Sequence, residues 1–487
     1  MNRPSSWLRR HSDISNIVFV ALLSLAVRVA FTGRAPAFLI GDSENYFLPG
    51  FQLAHGLGFD LELRRTPLYP LFLAGSMLLA GEDLQGIVTL QHTLGVLTCI
   101  LTYLLGLLTF GRWVGLIAAT LTAISGSAII GEHTIMTEVL FTPILLAHLI
   151  LLVLAVRRHS LRLAAFAGIL LGLAALARPV GLTWVAALPF ALALATRSFG
   201  QTVRMSGVTV LGLALVTLPW MARNYFAHES FSADGSAGQT LVGRTLRHDS
   251  GFTFYDPSWP PDPDPGQERT RKIMQEWVGR ATFLTPVRRR VQQELNVSEA
   301  EASRLMQREA INALTRQPGY YVRGTLAGFG RLMLGVPERP RDAWASRREA
   351  RNREEWEALP EIRHLLGPPT AIQDREQRSA EAIVSVFQPA RWGTLLLTGF
   401  VLGMAAVINR PGMRAGSIPL LCVLAAIGAA VALVAPLPRY RWPVEPLYAI
   451  VAVGGFAWAG QIAFGLLGGK RPRSLDGQTK ALAEGAH

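Results

Sequence analysis

Residues 139–177 read VLFTPILLAHLILLVLAV, then RRHSLR, then LAAFAGILLGLAALA. The two apolar runs, 139–156 and 163–177, contain no Asp, Glu, Lys or Arg, and the connection between them carries Arg157, Arg158 and Arg162. A nearly uninterrupted apolar stretch of about 20 residues is what a bilayer-crossing helix requires. A short connection rich in arginine and free of acids marks the cytoplasmic side of such a pair. The segment therefore reads as two antiparallel membrane helices joined inside the cell.

The same reading extends in both directions. Apolar runs recur at 14–32, 85–109, 114–130, 180–196, 205–220, 392–408, 416–435 and 446–467, which with the first two gives ten candidate spans. Only 17% of the 487 residues are charged and 50% are hydrophobic, with a mean hydropathy of +0.30; soluble domains carry about 25% charge. The chain is predicted to be an all-α polytopic membrane protein. No Ala-x-Ala cleavage site follows the first run, so it is expected to be a retained helix.

The net charge of +13 is the test of topology. With both termini in the cytoplasm, the inside segments hold Arg3, Arg9, Arg10, Arg112, Arg157, Arg158, Arg162, Arg197, Arg204, Arg410, Arg414, Lys470, Arg471, Arg473 and Lys480, against Asp13, Asp476 and Glu484. Nearly all the excess charge thus lies on one side. A basic chain can signal nucleic acid, but this distribution is a positive-inside pattern and predicts a multi-pass inner-membrane protein with no nucleic-acid partner.

Two apolar stretches do not fit as spans. Residues 67–81 are about 15 long and read as an interfacial helix. In 318–336, Arg323 and Arg331 interrupt the run, which reads as an amphipathic helix on the outer face. The predicted organisation is an N-terminal module of seven spans (1–220) with a long first outer loop (33–84), an outer, periplasmic and mainly helical region (221–391), three further spans (392–468) and a cytoplasmic tail (469–487). Within the outer region, DPSWPPDPDPG at 256–266 excludes regular helix. Ser298 to Glu301 forms a capping box ahead of a helix reaching Gln317. The charge-dense stretch 338–381 reads as a solvated face. Cys99 and Cys422 both sit in apolar runs and read as small core residues.

Polar residues that a membrane protein places at its rim are functional candidates, because each is costly to put there. They gather on the predicted outer side. The first loop supplies Asp42, Glu44 and Tyr46, then Arg64, Arg65 and Tyr69. Later loops supply His133 and Glu138, Arg178, Arg223, and Arg439, Tyr440 and Arg441; Arg28 lies near the outer end of the first span. Arginines hold phosphate oxygens in charge-assisted, often bidentate geometry. A carboxylate can take a proton from an attacking hydroxyl, and rim aromatics can stack on a sugar. The set suits a lipid-linked, phosphate-bearing substrate. No nucleotide-binding loop or zinc-protease motif is present.

In order and sidedness these pieces resemble the class C (GT-C) membrane glycosyltransferases, in particular the family 39-like group of protein mannosyltransferases and lipid A aminoarabinose transferases. The resemblance rests on Asp42-x-x-x-Tyr46, on Arg65-Thr66-Pro67-Leu68-Tyr69-Pro70, on Thr137-Glu138-Val139-Leu140-Phe141, on Ala177-Arg178-Pro179 with Pro219-Trp220 and Arg223-Asn224-Tyr225, and on Pro438-Arg439-Tyr440-Arg441-Trp442-Pro443. It implies a GT-C fold and an inverting transfer of a sugar from a polyprenyl-phosphate donor to an envelope glycan, lipid or protein. By that resemblance Asp42 is the general base or acceptor-orienting carboxylate and Glu138 the second acid. Arg439 and Arg441 bind the donor phosphate, with Arg64, Arg65 or Arg223 assisting. Tyr46, Glu44, Tyr69, His133, Arg178, Tyr440 and Arg28 line the pocket. The sequence shows no metal-ligand cluster, so no cofactor is expected, and the chain is expected to act as a monomer.

Plainer roles stand beside these. Asp42 and Glu138 are good helix-capping residues, Arg28 can snorkel, and His133 can be a loop histidine. The rival functions are a transporter or flippase for a lipid-linked substrate, or a polymerase or ligase of diphosphate-linked glycans. The near absence of charge at mid-helix positions speaks against transport.

Overall fold

The computed structural model describes residues 6–39, 43–59, 61, 65–234, 236–248, 251–280, 284–335, 356–366, 374–434 and 438–466. They are almost entirely helical, with two isolated bridges, Phe38 to Thr134 and Ser125 to Phe387, among them. Eight helical segments are long and apolar enough to cross a membrane. Six belong to α1 (Ser6–Thr32), α4 (Leu84–Thr109), α7 (Glu138–Arg158), α9 (Thr183–Thr196), α10 (Phe199–His228) and α17 (Gly393–Asn409), and two to α18 (Arg414–Val434) and α19 (Glu445–Leu466).

Two of the ten expected spans take shorter forms. The run at 163–177 is α8 (Leu161–Ala177), which packs between α7 and α10. The run at 114–130 is not one helix. It divides at Ser125 into α5 (Arg112–Ala123) and α6 (Gly126–His133). Ser125 is extended, its side chain caps α6, and the Gly126 N–H is taken by the Phe387 carbonyl at 2.9 Å. A backbone donor turned toward a distant segment cannot also serve the helix. As a result His133 ends a helix rather than lying in a loop.

The helix boundaries follow from local chemistry. Asp83 caps α4, Ser160 caps α8 and Ser198 caps α10, each accepting from a backbone N–H of the first turn. Helices meet where side chains vanish: a Cβ on Gly106 would lie 2.5 Å from Gly115 Cα, and one on Gly168 would lie 2.0 Å from the Thr209 carbonyl. Small residues at such crossings are how apolar helices gain contact in lipid. Cys99 and Cys422 are free thiols.

One end of the bundle gathers arginines. There Arg112 pairs with Asp13 at 2.7 Å, Arg157 bonds the Leu108 carbonyl, and Arg410 bonds Gln461 at 2.7 Å. The opposite end gathers the loops. It carries α2 (Glu44–Ala54) and α3 (Leu68–Ala80), the latter 13 residues long, in keeping with a non-spanning helix. It also carries a helical subdomain with its own apolar core around Phe252, Phe254, Ile273 and Met306. That subdomain comprises α11 (Ser236–Gly243), α12 (Pro265–Trp277), α13 (Leu284–Leu295) and α14 (Glu299–Arg316), with Ser298 capping α14 as its capping box predicts. Next, α15 (Pro318–Leu334) packs against α18 and α17.

The stretch 338–381 is not simply a solvated face. Trp356, Ile362 and Ala380 are fully buried. Trp356 packs on Phe47 of α2 with ring centres 4.8 Å apart, and α16 (Asp374–Ser385) docks on α6 and α1. Scattered apolar residues among many charges still make an apolar contact face when they share one side.

The 356–366 strap is fastened to the first loop by an exposed cluster. Glu82 accepts from His55 Nε2 at 2.7 Å and faces His364 Nε2 at 3.1 Å. The Phe51 carbonyl and Glu82 hold the His55 imidazolium above its ordinary range. His364 and His55 hold the Glu82 carboxyl below its own. A raised histidine pKa stabilises the clasp below about pH 6.5 and loses it as pH rises through the raised value. The lowered carboxyl stabilises it above the ordinary carboxylate range and loses it as pH falls through the depressed value. Amide exchange across 356–366 should therefore be slowest in mildly acidic buffer and quicken as pH is raised through the histidine range, after correction for intrinsic exchange. Glu82→Gln should flatten that profile, and an unchanged profile would show the clasp holds nothing.

Candidate active site

Glu138 opens α7 and its side chain is 3% exposed. It is ion-paired with Arg178, the residue that ends α8. Arg178 also donates to Thr137 Oγ1 at 3.2 Å, and its guanidinium lies over the Tyr440 ring, 5.2 Å from the centre. The first loop reaches the same place. Thr66 donates to the Ala177 carbonyl at 3.1 Å, Arg65 donates to the Tyr46 hydroxyl at 3.0 Å, and Tyr46 meets Tyr69 edge-on at 5.6 Å. Tyr69 in turn donates to Gln91 of α4 at 2.6 Å. Ser43 donates to the Ile135 carbonyl at 2.9 Å, which ties the start of α2 to the segment leading to Glu138.

The expected residues thus divide. Tyr46, Arg65, Tyr69, Glu138, Arg178 and Tyr440 come together. Glu44 stands in the first turn of α2, half-buried beside Asn45. Arg223 donates to the Leu61 carbonyl at 3.2 Å and lies over Trp220, so it joins the first loop to α10. Asp42 and Arg64 lie outside the described residues, as does the side chain of Arg439.

Arg28 and His133 are drawn into a different assembly. Arg28 donates Nε and Nη2 to the two oxygens of Glu132 at 2.7 and 2.6 Å, and Nη1 to the carbonyls of Ser24 and Ala123. His92 bridges Glu132 and His133 at 2.9 Å on either side, and His133 reaches the Ala35 carbonyl at 3.0 Å. Every member is buried. Each nitrogen of Arg28 is satisfied by protein, so this network locks α1, α4 and α6 together. Neither His92 nor the Arg28–Glu132 pairing is evident from sequence spacing.

Arg441 is different. It belongs to the 3-10 segment Pro438–Val444 and is 4% exposed. Its Nη1 donates to the carbonyls of Leu332 and Met333 at 3.2 and 2.8 Å, which closes the C-terminal end of α15. Its Nε faces Glu445 at 3.4 Å, and Glu445 accepts from Ser127 of α6 at 2.6 Å. The guanidinium lies 5.0 Å from the Tyr448 ring centre. Glu445 and Tyr448 are not among the residues expected from the sequence: Glu445 stands at i,i+4 from Arg441, and Tyr448 lies inside the apolar run 446–467.

A cavity of about 60 Å³ adjoins several of these groups. It lies between α4, α5 and α6, α7, α17 and α19, and its walls include Glu132, Glu138, Arg441, Glu445 and Tyr448. An arginine in the wall of an otherwise apolar cavity can donate to a phosphate oxygen, while a carboxylate at a helix start handles a proton.

Over residues 64–221 the chain matches the family model described as dolichyl-phosphate-mannose-protein mannosyltransferase. Among solved structures, the archaeal oligosaccharyltransferase AglB of Archaeoglobus fulgidus, in complex with an inhibitory peptide and a dolichol-phosphate, aligns with 98% of this chain and 54% of its own, at TM-score 0.50 and 13% identity. The Pmt1–Pmt2 protein O-mannosyltransferase of S. cerevisiae bound to the sugar donor aligns with 48% of this chain and 36% of its own, at 0.37 and 18%. ArnT from Cupriavidus metallidurans bound to undecaprenyl phosphate aligns with 92% and 78%, at 0.36 and 14%. No curated protein matches significantly.

The fold is that of the class C glycosyltransferases. The family-model match is confined to residues 64–221. It spans about half the length of the archaeal enzyme.

The buried network gives a direct check on scaffold against site. Arg28→Met removes the bidentate partner of the buried Glu132 carboxylate and leaves it His92 alone, which should cost about 3–5 kcal/mol. Adding Glu132→Gln should recover part of that loss. Thermal unfolding of the detergent-solubilised protein measures both, and a single variant that melts like wild type would remove the network from the scaffold.

Proposed function

We propose that this protein is an integral-membrane glycosyltransferase that moves a sugar from a polyprenyl-phosphate donor to an envelope glycan, lipid or protein, with inversion. The observation that carries the reading is the single cavity shared by Glu138, from the acid–arginine–tyrosine cluster, and by Arg441 with Glu445 and Tyr448. A base takes the acceptor hydroxyl proton as the oxygen attacks the anomeric carbon opposite the phosphate. The glycosyl–phosphate bond breaks, and its electron pair leaves with polyprenyl phosphate. Arginine neutralises the charge that grows on the leaving phosphate, where preorganised donors contribute most. Asp42 is the base in this scheme, and Glu138, fixed by Arg178, orients the sugar or acceptor. The apolar walls of the cavity suit the first isoprene units.

The arginine-rich end of the bundle supports a cytoplasmic assignment for that end. The loop end with its cavity then faces the periplasm of a bacterial inner membrane, and the chain acts as a monomer.

Purified protein in lipid nanodiscs is to be given a panel of polyprenyl-phosphate sugars, and polyprenyl-phosphate release followed. Wild type should release it with at least one donor. Asp42→Asn should slow release by about 10²–10⁴-fold, the usual worth of a positioned general base. Glu138→Gln should also slow it. No release with any donor contradicts the function, and release at the wild-type rate by Asp42→Asn removes that residue from the chemistry.

A further inference from the structure

Two buried histidines that the proposed chemistry does not use stand at the crossing of α1, α4 and α6, and the hydrogens in their contacts can be counted. A neutral imidazole has one N–H and one bare nitrogen, whereas a carboxylate or carbonyl oxygen only accepts. His133 Nε2 faces the Ala35 carbonyl at 3.0 Å, so that nitrogen carries hydrogen. His92 Nδ1 faces Glu132 Oε2 at 2.9 Å. Both oxygens of Glu132 accept from Arg28, at 2.7 and 2.6 Å, which marks Glu132 as a carboxylate and His92 Nδ1 as a second N–H. Between the rings, His92 Nε2 and His133 Nδ1 lie 2.9 Å apart, and that contact needs a third hydrogen. Two neutral rings supply only two. One of the three contacts would then set lone pair against lone pair at a buried place, since His92 is 4% and His133 0% exposed.

We propose that His92 and His133 hold one excess proton between them, as a shared buried imidazolium, and that this proton latches α6 to α1 and α4. The third hydrogen completes the chain whether it sits on His92 Nε2 or on His133 Nδ1, so the two rings titrate as one unit. The surroundings suit the charge. Glu132 from α6 faces the pair at one end, with Arg28 from α1 behind it. The rings of Phe31 and Phe38 are centred 5.0 and 4.9 Å from that of His133, within the reach of a cation–π contact. From α4 comes Cys99, which accepts from Ser24 at 3.4 Å. Packed on the same core, α16 and the segment before α19 contribute the apolar Ala380, Val384 and Trp442. Loss of the proton leaves a contact without hydrogen, and α6 loses its side-chain tie to His92. Glu132 belongs to that helix and to the cavity wall, so the latch holds one wall of the cavity in place.

The proton is counted directly by solid-state nitrogen NMR of the full-length protein in lipid, with isotope-labelled histidine rings, at neutral pH. Protonated and bare ring nitrogens resonate apart. The chain has ten histidines, so the spectrum of the His92→Gln, His133→Gln double variant is subtracted to isolate the pair. Three protonated nitrogens to one bare nitrogen is the expected result; two to two overturns the proposal. Because that variant removes part of the scaffold, thermal unfolding against pH gives a second arm, comparing wild type with the Arg28→Met, Glu132→Gln double variant. There the amide introduced at 132 donates to His92 Nδ1, and two neutral rings complete the chain. The folded wild type holds a proton that the unfolded chain releases above the ordinary histidine range, so its stability falls as pH rises. Relative to the variant, its unfolding equilibrium constant should rise by up to about tenfold for each pH unit above about 6.5. The Glu82 clasp is present in both proteins and cancels. Equal slopes in the two proteins overturn the latch.

Discussion

A charge inside an apolar helical bundle must be paired, because the bilayer offers no water to solvate it. Among the described residues of the membrane bundle, arginine–carboxylate pairs meet that requirement at the loop end: Arg28 with Glu132, Arg178 with Glu138, and Arg441 with Glu445. Each joins elements far apart in sequence or fixes a junction between a loop and a helix. The first ties α1 to α6. The second ties the start of α7 to the end of α8. The third joins the approach to α19 with α6, through Ser127, and with α15, through its terminal carbonyls.

The pairs differ in how completely they are closed. Arg28 spends all its nitrogens on Glu132 and two backbone carbonyls. Arg441 leaves Nη2 buried without a hydrogen-bond partner. The same residue types are therefore fully closed by protein in one place and only partly closed in another. The first loop is held over this end by Thr66, Ser43 and Arg223, and by the buried Trp356 of the 356–366 strap. That arrangement brings the two halves of the membrane bundle to one site.

Much of the fold was legible because long apolar runs and the sidedness of arginine depend on the bilayer and not on tertiary detail. The break at Ser125 was not, since a distant carbonyl at Phe387 takes the Gly126 N–H. Nor was the burial of Trp356 and Ile362, which sit among charges and show their purpose only against Phe47 and its neighbours. In the site, Glu138, Arg178, Arg65 and Tyr46 stand in motifs whose order pointed to one place. Arg28 and His133 were legible as unusual polar residues but not as partners of Glu132 and His92, because that pairing depends on how α1, α4 and α6 cross. Tyr448 carries no sequence signal apart from its neighbours.

The central claim is that the cavity between α4, α7 and α19 receives the phosphate of a lipid-linked donor. The most direct test is an electron cryomicroscopy map of the protein in nanodiscs with polyprenyl phosphate bound. Phosphate density is expected in the cavity whose walls include Glu138 and Arg441, with the isoprene chain leaving between helices. Phosphate density at the arginine-rich end of the bundle, or at the loop end but outside this cavity, would contradict it.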